Sequence, residues 1–297
     1  MSMTLTTTKP NIENPRQFLP VLVTFFLFFA HFEIQLAQPG VTEAVYKTVG
    51  STKLKLYICQ PILHPKSDTI PAIVFFHGGG WGGGHAWQFL PQCKYLADRG
   101  MVAISAEYRV RNRQKDATPF NCVEDAKSAI RWVRMHANEL GIDKNRIAAG
   151  GGSAGGHMAA CTALINGFED VNVSVSSVLN AMVLFNPVLD VMEVLKVLPK
   201  DLRKILESSA EEISPIYNVS DGAPPTIIFH GTADNNVPFH QAAIFTEEMK
   251  KHNNRCEIEL FEGRGHGFFN YNKGRNPDFT ATMELTVKFL VSLGYMK

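Results

Sequence analysis

A serine surrounded by glycines lies near the middle of the chain, in the run AAGGGSAGGHMAA at residues 148–160. Glycine costs about 0.5–1 kcal/mol relative to alanine inside regular structure, so the cluster indicates a turn or a close approach that side chains would prevent. A flexible linker would have polar flanks, whereas both flanks here are apolar. Ser153 is therefore expected at a tight corner, and residues 151–155 fit the GxSxG pattern, in which a strand turns into a helix and exposes a nucleophilic hydroxyl.

A serine hydroxyl needs a base, and usually an acid behind it, to attack at neutral pH. Asp234 lies in TIIFHGTADNNVPF and His266 lies in LFEGRGHGFFN, each just beyond a run of strand type. In this order Ser153 would attack, His266 would take and return the proton, and Asp234 would hold the imidazole. Taken alone, the aspartate could cap a helix and the histidine could be a turn residue. The competing bases, which are predicted to lie within a strand or on a helix, are His230, His240 and His252.

A second glycine run, FFHGGGWGGG, follows the apolar segment at residues 72–76. Such glycines can expose successive backbone N–H groups to an oxyanion, and loss of one donor costs about 3 kcal/mol in the transition state. We expect the oxyanion hole to use the N–H groups of Gly79, Gly80 and Ala154. A phosphate-binding loop is the alternative, but the run lacks both the GK[ST] ending and the GxGxxG pattern. The nearby aromatic residues, which could line a substrate pocket, be exposed or lie in the core, are Trp81, Trp87 and Phe89.

Strand-like and helix-like segments must position these residues, and they alternate from Thr42 onward. A hairpin with its turn at Gly50 and Ser51 comes first. The later apolar runs lack polar alternation, as expected for parallel strands covered on both faces. They are predicted at residues 72–77, 101–108, 146–151, 180–187, 226–231 and 256–263. A helix is predicted over residues 122–140, ending at Gly141. This order predicts an α/β fold: an eight-stranded, mostly parallel, doubly wound sheet led by an antiparallel hairpin, in one domain over residues 38–297.

The interval at residues 191–225 is long and carries apolar positions of helical spacing. We expect one or two helices there, outside the basic alternation. They would form a small helical cover over the carboxyl edge of the sheet, where open α/β folds bind ligands. An ordinary crossover helix with a long exit loop is the alternative.

Charge and cysteine content argue against several classes of protein. There are 29 Lys and Arg residues against 28 Asp and Glu, a formal net charge of +1, and no basic stripe interleaved with aromatic residues, so nucleic-acid binding is not expected. The five cysteines show no metal-ligand spacing, which argues against zinc. Free buried thiols are expected, although one pair could be bridged in an exported protein.

The first 37 residues differ from the rest of the chain. Lys9 and Arg16 precede an apolar run at residues 18–30, and Ala37 is a small residue suited to a cleavage site. The run is short for a membrane span, which takes about 20 residues. Residues 1–37 are therefore predicted to be a secretory signal peptide, making the protein secreted or periplasmic. An uncleaved membrane anchor and a buried amino-terminal helix are the alternatives.

Six ordered motifs together resemble those of the α/β-hydrolase esterases of the hormone-sensitive-lipase-like group, which includes bacterial acetyl esterases and carboxylesterases. The motifs are HGGGW (77–81), EYRV (107–110), EDAKSAIRW (124–132), GGSAGG (151–156), GTADNNVP (231–238) and GRGHGF (263–268). The resemblance implies a triad of Ser153, Asp234 and His266 and no cofactor. It also implies oxyanion donors from Gly79, Gly80 and Ala154. The chain lacks the large amino-terminal cap of many members, which favours short acyl esters over long-chain lipids.

Together these features predict an exported serine carboxylesterase acting on short acyl, chiefly acetyl, esters through an acyl-enzyme intermediate. The substrate would be a small-molecule or carbohydrate ester, and any membrane contact would be through an uncleaved anchor. The oligomeric state stays open. A prolyl-oligopeptidase-type peptidase and an inactive hydrolase-fold binding protein are the alternatives. The HGGG motif argues against the first and the complete triad against the second. His157, Trp132 and Asp190 are expected to be packing or structural residues.

Overall fold

A single eight-stranded sheet forms the centre of the protein, in a computed structural model that describes residues 40–62, 69–168, 174–271 and 276–297. The strands are β1 (Val41–Val49), β2 (Thr52–Cys59), β3 (Ile70–Phe76), β4 (Val102–Ala106), β5 (Ile142–Gly152), β6 (Ala181–Phe185), β7 (Thr226–Gly231) and β8 (Cys256–Phe261). The α-helices are α1 (Leu90–Ala97), α2 (Pro119–Met135), α3 (Ala137–Leu140), α4 (Ala154–Leu164), α5 (Val191–Val194), α6 (Lys200–Leu206), α7 (His240–Lys251) and α8 (Pro277–Ser292).

The strand order is β1-β2-β4-β3-β5-β6-β7-β8. Strand β2 pairs antiparallel with both β1 and β4, and every other neighbouring pair is parallel. The hairpin turn falls at Gly50 and Ser51, as predicted, since Val49 pairs with Thr52. The predicted fold class is confirmed, and the carboxyl ends of β3, β5, β7 and β8 meet at one edge of the sheet.

The central strands are apolar because both of their faces are covered. All residues of β4, β6 and β7 are buried. Neighbouring residues point to opposite faces: Phe75 belongs to the hydrophobic cluster on one side and Phe76 to the cluster on the other. The ring of Phe75 stacks on Phe89 with centroids 5.0 Å apart. Full burial of such a side chain stabilises the fold by about 1.5–3 kcal/mol.

Helix α2 begins three residues before the position predicted from the sequence. The Thr118 side chain accepts from the Asn121 N–H while the Asn121 side chain accepts from the Thr118 N–H, a reciprocal cap that defines the start. The predicted helix is also divided at His136, which leaves helical geometry and whose Nδ1 bonds the Trp132 carbonyl at 2.8 Å. The short helix α3 then ends at Gly141, whose left-handed φ of 66° closes it.

Residues 191–225, here termed the cover segment, contain short helices rather than one long crossover helix. One turn of 3-10 helix, Leu195–Val197, lies between α5 and α6, and a second, Pro215–Tyr217, follows α6. The Arg111 Nε atom contacts the Asp201 Oδ2 atom of α6 at 2.7 Å, which ties this segment to the loop after β4. The predicted helical cover is therefore present.

The five cysteines are all buried and free: Cys59, Cys93, Cys122, Cys161 and Cys256. The prediction for residues 1–37 lies outside the described residues. Among the helices that the structure describes, none is long and apolar enough to cross a membrane.

Candidate active site

Ser153 occupies the corner between β5 and α4, as the glycine cluster predicts. Its φ of 56° and ψ of −121° lie in a region that costs a residue other than glycine about 1–3 kcal/mol. The corner is held by hydrogen bonds: the Ser153 N–H donates to the Phe185 carbonyl at 3.0 Å, and the Ser153 carbonyl accepts from the N–H of Val188 at 3.3 Å. The nucleophile is thus positioned by backbone bonds to the end of the neighbouring strand β6.

The glycines around Ser153 let three parts of the chain cross at close range. A Cβ atom on Gly155 would lie 2.0 Å from the Phe76 carbonyl oxygen of β3, and one on Gly151 would lie 2.5 Å from the backbone of Gly155. A Cβ atom on Gly152 would lie 2.5 Å from the ring of Phe269, in the loop after β8. Side chains at these positions would force α4 and that loop away from the serine.

Asp234 lies on the loop after β7, with its side chain fully buried. The Oδ2 atom accepts from His266 Nδ1 at 2.7 Å, while Oδ1 accepts from the N–H groups of Asn236 at 2.9 Å and Val237 at 3.0 Å. A second imidazole approaches Oδ2, since His230 Nε2 lies 3.4 Å away. Burial by itself raises the pKa of Asp234, but the hydrogen bonds from His230 and His266 and the charge of His266 outweigh it and hold the pKa well below its usual range. The acid is therefore ionised at neutral pH.

His266 lies on the loop after β8, and its side chain is 23% exposed, so the imidazole is reachable from solvent. Because Nδ1 donates to Asp234, Nε2 of the neutral ring is an acceptor. That atom faces Asn186 Nδ2 at 3.5 Å, at the long limit of a hydrogen bond. Within the described residues no hydrogen bond joins Ser153 to His266. The two loops nevertheless meet, because Asn186 directly follows the Phe185 carbonyl that binds Ser153 and Phe269 packs on Gly152.

The predicted oxyanion donors lie beside the serine corner. Gly78 packs against Ser153, since a Cβ atom built on the glycine would lie 3.6 Å from the serine Cβ. Gly79 and Gly80 follow with positive φ angles of 132° and 59°. Among the described residues neither of their N–H groups has an acceptor. Ala154 begins α4, so its N–H has no partner within the helix, and the positive end of the helix dipole is there.

The start of the glycine run is anchored by His77, which is fully buried. Burial lowers the pKa of His77 to about 3, so the ring is neutral, and its Nδ1 donates to the Gly78 carbonyl at 2.8 Å. The ring stacks on Tyr108 with centroids 4.1 Å apart, and the Tyr108 hydroxyl donates to the His77 carbonyl at 2.8 Å.

His157, expected to be a packing residue, joins three parts of the fold. Its Nδ1 accepts from Trp81 Nε1 at 3.2 Å, and its Nε2 donates to the Ile213 carbonyl of the cover segment at 2.6 Å. Burial lowers the pKa of His157 to about 4, so the ring is neutral, with one nitrogen that accepts and one that donates. Trp81 and Phe89 are buried in the core, which excludes the alternative that they are exposed.

Of the competing histidines, His230 lies in β7 beside Asp234, and its Nε2 donates to the Val237 carbonyl at 2.9 Å. The other two have partners away from the triad candidates. His240 contacts Glu193 at 2.7 Å and His252 contacts Asp221 at 2.8 Å. Asn186 was not predicted from the sequence, although it directly follows the apolar strand β6 at the same edge as the triad candidates. Its position at the end of a strand is the only signal in the sequence, since an amide is neither an acid nor a base.

A nucleophile corner after one parallel strand, with an acid and a histidine beyond two later strands, is the arrangement that defines an α/β-hydrolase. The family follows from comparison with known proteins. The chain belongs to the BD-FAE family, whose model matches residues 62–249. The resemblance to α/β-hydrolase esterases of the hormone-sensitive-lipase-like group is thereby confirmed.

Relatives with assigned names are esterases. The chain is 30% identical to esterase LipC of Mycobacterium tuberculosis over 222 residues, covering 67% of this chain and 53% of that protein. It is 29% identical to the probable carboxylic ester hydrolase LipM of the same organism over 201 residues, covering 62% and 46%. The chain thus spans about half the length of these two relatives.

A solved esterase matches over nearly its whole length. It is esterase 2 of the planctomycete Thermogutta terrifontis with propionate bound, at 49% identity and a TM-score of 0.81, covering 87% of this chain and 96% of that chain. The same esterase has been solved with butyrate bound and phosphorylated by paraoxon.

Proposed function

We propose that this protein is a serine carboxylesterase that hydrolyses short-chain acyl esters, with Ser153, His266 and Asp234 as its triad. The observation that carries the proposal is the 2.7 Å hydrogen bond from His266 Nδ1 to the buried Asp234, in a loop packed against the serine corner. This bond sets the tautomer in which His266 Nε2 can accept a proton.

The acylation step follows from that tautomer. As Ser153 Oγ forms a bond to the acyl carbon, its proton passes to His266 Nε2, and the imidazolium is stabilised by Asp234. Negative charge on the former carbonyl oxygen is stabilised by the N–H groups of Gly79, Gly80 and Ala154. The imidazolium then gives its proton to the alcohol oxygen as the ester bond breaks, which leaves the acyl group on Ser153.

Deacylation repeats the same steps with water. His266 takes a proton from water as its oxygen attacks the acyl carbon. The tetrahedral intermediate collapses, the proton returns to Ser153 Oγ, and the carboxylic acid leaves. All groups needed are on residues 38–297, the proposed hydrolase domain, and the reaction uses no cofactor.

Short acyl groups, from acetyl to butyryl, are the proposed substrates. The support is the propionate and the butyrate bound in the esterase that is 49% identical to this chain. The cover segment also contains only short helices. Acetylated carbohydrates are the proposed natural esters, and export through residues 1–37 stays a prediction that amino-terminal sequencing of the mature protein would check.

The test is hydrolysis of p-nitrophenyl esters from acetate to laurate by the full chain and by Ser153→Ala. We expect a maximum at butyrate or shorter and a loss of about 10³-fold or more in the variant. Ser208→Ala, at an exposed serine of the cover segment, is the matched control and should keep full activity. A rate that rises toward laurate, or an active Ser153→Ala, would contradict the proposal. Failure to release acetate from acetylated xylan would remove only its carbohydrate part.

A further inference from the structure

Two amide side chains connect the glycine-rich loop at residues 77–84, which carries the proposed oxyanion donors, to the loop at residues 262–271, which carries His266. Gln88 lies in the 3-10 turn before α1, and Asn270 lies four residues after His266. The Gly78 N–H donates to Gln88 Oε1 at 2.7 Å, Gln88 Nε2 donates to Asn270 Oδ1 at 2.9 Å, and Asn270 Nδ2 donates to the Gly267 carbonyl at 2.9 Å. The chain of bonds starts one residue before the glycine donors and ends one residue after the histidine.

The backbone at both ends sets the direction of this chain. The Gly78 N–H can only donate, so Gln88 must present its oxygen there and its NH₂ to Asn270. The Gly267 carbonyl can only accept, so Asn270 must present its NH₂ there and its oxygen to Gln88. Rotating either amide group by 180° would place two donors or two acceptors face to face. Only one orientation of each amide therefore forms all three hydrogen bonds.

No backbone hydrogen bond of the described residues joins residues 77–84 to residues 262–271. Among the described residues, the bond between the two amides is a direct polar link between two loops that, under the proposed function, act on one substrate. A further asparagine braces it, because Asn276 Nδ2 donates to the carbonyls of Phe268 and Asn270, both at 2.6 Å.

We propose that Gln88 and Asn270 are positioning residues that set the distance between the oxyanion donors and the catalytic histidine. This inference rests on the proposed function of Ser153 and His266. The oxyanion donors stabilise charge that exists only in the transition state, so their displacement lowers kcat and leaves KM nearly constant. A displacement of about 1 Å costs up to about 100-fold in rate.

The experiment uses the full chain and p-nitrophenyl butyrate. Gln88→Met and Asn270→Leu remove the amides at similar side-chain length, and the double variant removes both. Each single variant should lower kcat about 10- to 100-fold with KM changed less than about 3-fold. Because the two residues act as one chain, the double variant should lose about as much as the more affected single variant, and not the product of the two losses.

Gln88→Glu separates the two links of the chain. The carboxylate can still accept from the Gly78 N–H, but it opposes a second oxygen to Asn270 Oδ1, and kcat should fall here too. Gln92→Met is the matched control on the adjoining helix α1. Gln92 is fully buried, and neither of its amide atoms has a hydrogen-bond partner among the described residues. Its kcat should equal that of the wild type.

Thermal unfolding separates positioning from a merely structural role, which would lower the melting temperature and leave kcat of the folded protein unchanged. That result, or losses in the double variant that multiply, would overturn the inference. If Ser153→Ala is inactive and Gln88→Met keeps the kcat of the wild type, the inference is overturned and the proposed function is still supported. A fully active Ser153→Ala would overturn both.

Discussion

An asparagine in place of Asp234 would keep the shape of the acid and reverse one hydrogen bond. The N–H groups of Asn236 and Val237 lie 2.9 and 3.0 Å from Oδ1, so an amide at this position must present its oxygen to them. Its NH₂ would then take the place of Oδ2, which is 2.7 Å from His266 Nδ1. Because an NH₂ group donates, Nδ1 would have to lose its proton, and the proton would move to Nε2. The nitrogen that must accept the Ser153 proton would then be occupied.

The expected loss is large because the wrong tautomer is the stable one. In a triad of this type, the same substitution lowers kcat about 10⁴-fold. At about 1.36 kcal/mol for each factor of ten, that loss corresponds to about 5.5 kcal/mol of transition-state stabilisation. We expect a decrease of this size in kcat for p-nitrophenyl butyrate at pH 7 in Asp234→Asn. KM should change little, since the acid acts through His266.

Asp201→Asn is the matched control, because this aspartate lies on the cover segment and forms an exposed ion pair with Arg111. Exposed ion pairs contribute about 0–1 kcal/mol, so its activity should stay close to that of the wild type. An Asp234→Asn variant with kcat within about tenfold of the wild type would refute the tautomer argument and the assignment of the acid.

Two further predictions concern stability. In Gly155→Ala the new Cβ lies 2.0 Å from the Phe76 carbonyl oxygen, so the free energy of unfolding in urea should fall by about 3 kcal/mol. Gly265→Ala, whose Cβ meets nothing nearer than 3.8 Å, should show no loss; equal stabilities of the two variants would contradict the close crossing. Burial lowers the pKa of His77 to about 3 and of His157 to about 4, below the ordinary value near 6.5. Below pH 6.5 each of these histidines binds a proton in the unfolded state but stays neutral in the folded state, so the free energy of unfolding falls as the pH falls toward the folded pKa. Relative to its value above pH 6.5, it should be lower by about 2 kcal/mol per histidine at pH 5. Urea unfolding at pH 7 and pH 5 measures this loss, which should be smaller in His157→Gln; an equal loss in that variant would exclude His157 as a source.

The serine, the acid and the histidine could be located from the sequence because each lies within five residues of the end of a recognisable strand. The apolar runs marked all eight strands to within a few residues, and parallel strands place the residues after them at one edge. The start of β5 was predicted four residues late, since Ile142 joins the strand by pairing with Ile70, after which the register shifts before Ala72. Pairing of this kind depends on a strand that is distant in the sequence, so no pattern of neighbouring residues predicts it.

The supporting residues could not be located in the same way. Gln88 and Asn270 are 182 residues apart, and their role depends on the distance between two loops in the folded chain. His157 and Ile213 are separated by 56 residues, and the acceptor there is a backbone carbonyl, which any residue supplies. Neutral amides and carbonyls carry no spacing that marks a function.

The backbone conformation of Ser153 lowers the stability of the folded protein at the position where the proposed nucleophile lies. A glycine at this corner would relieve about 1–3 kcal/mol of strain and add under about 1 kcal/mol of chain entropy to the unfolded state. Comparing Ser153→Gly with Ser153→Ala in urea would measure that difference, and equal stability would show that the corner is unstrained. On this reasoning, glycine at position 153 gives the more stable fold and removes the hydroxyl on which the proposed function depends. Under the proposed function, the serine at this corner lowers the stability of the fold in return for an exposed nucleophile.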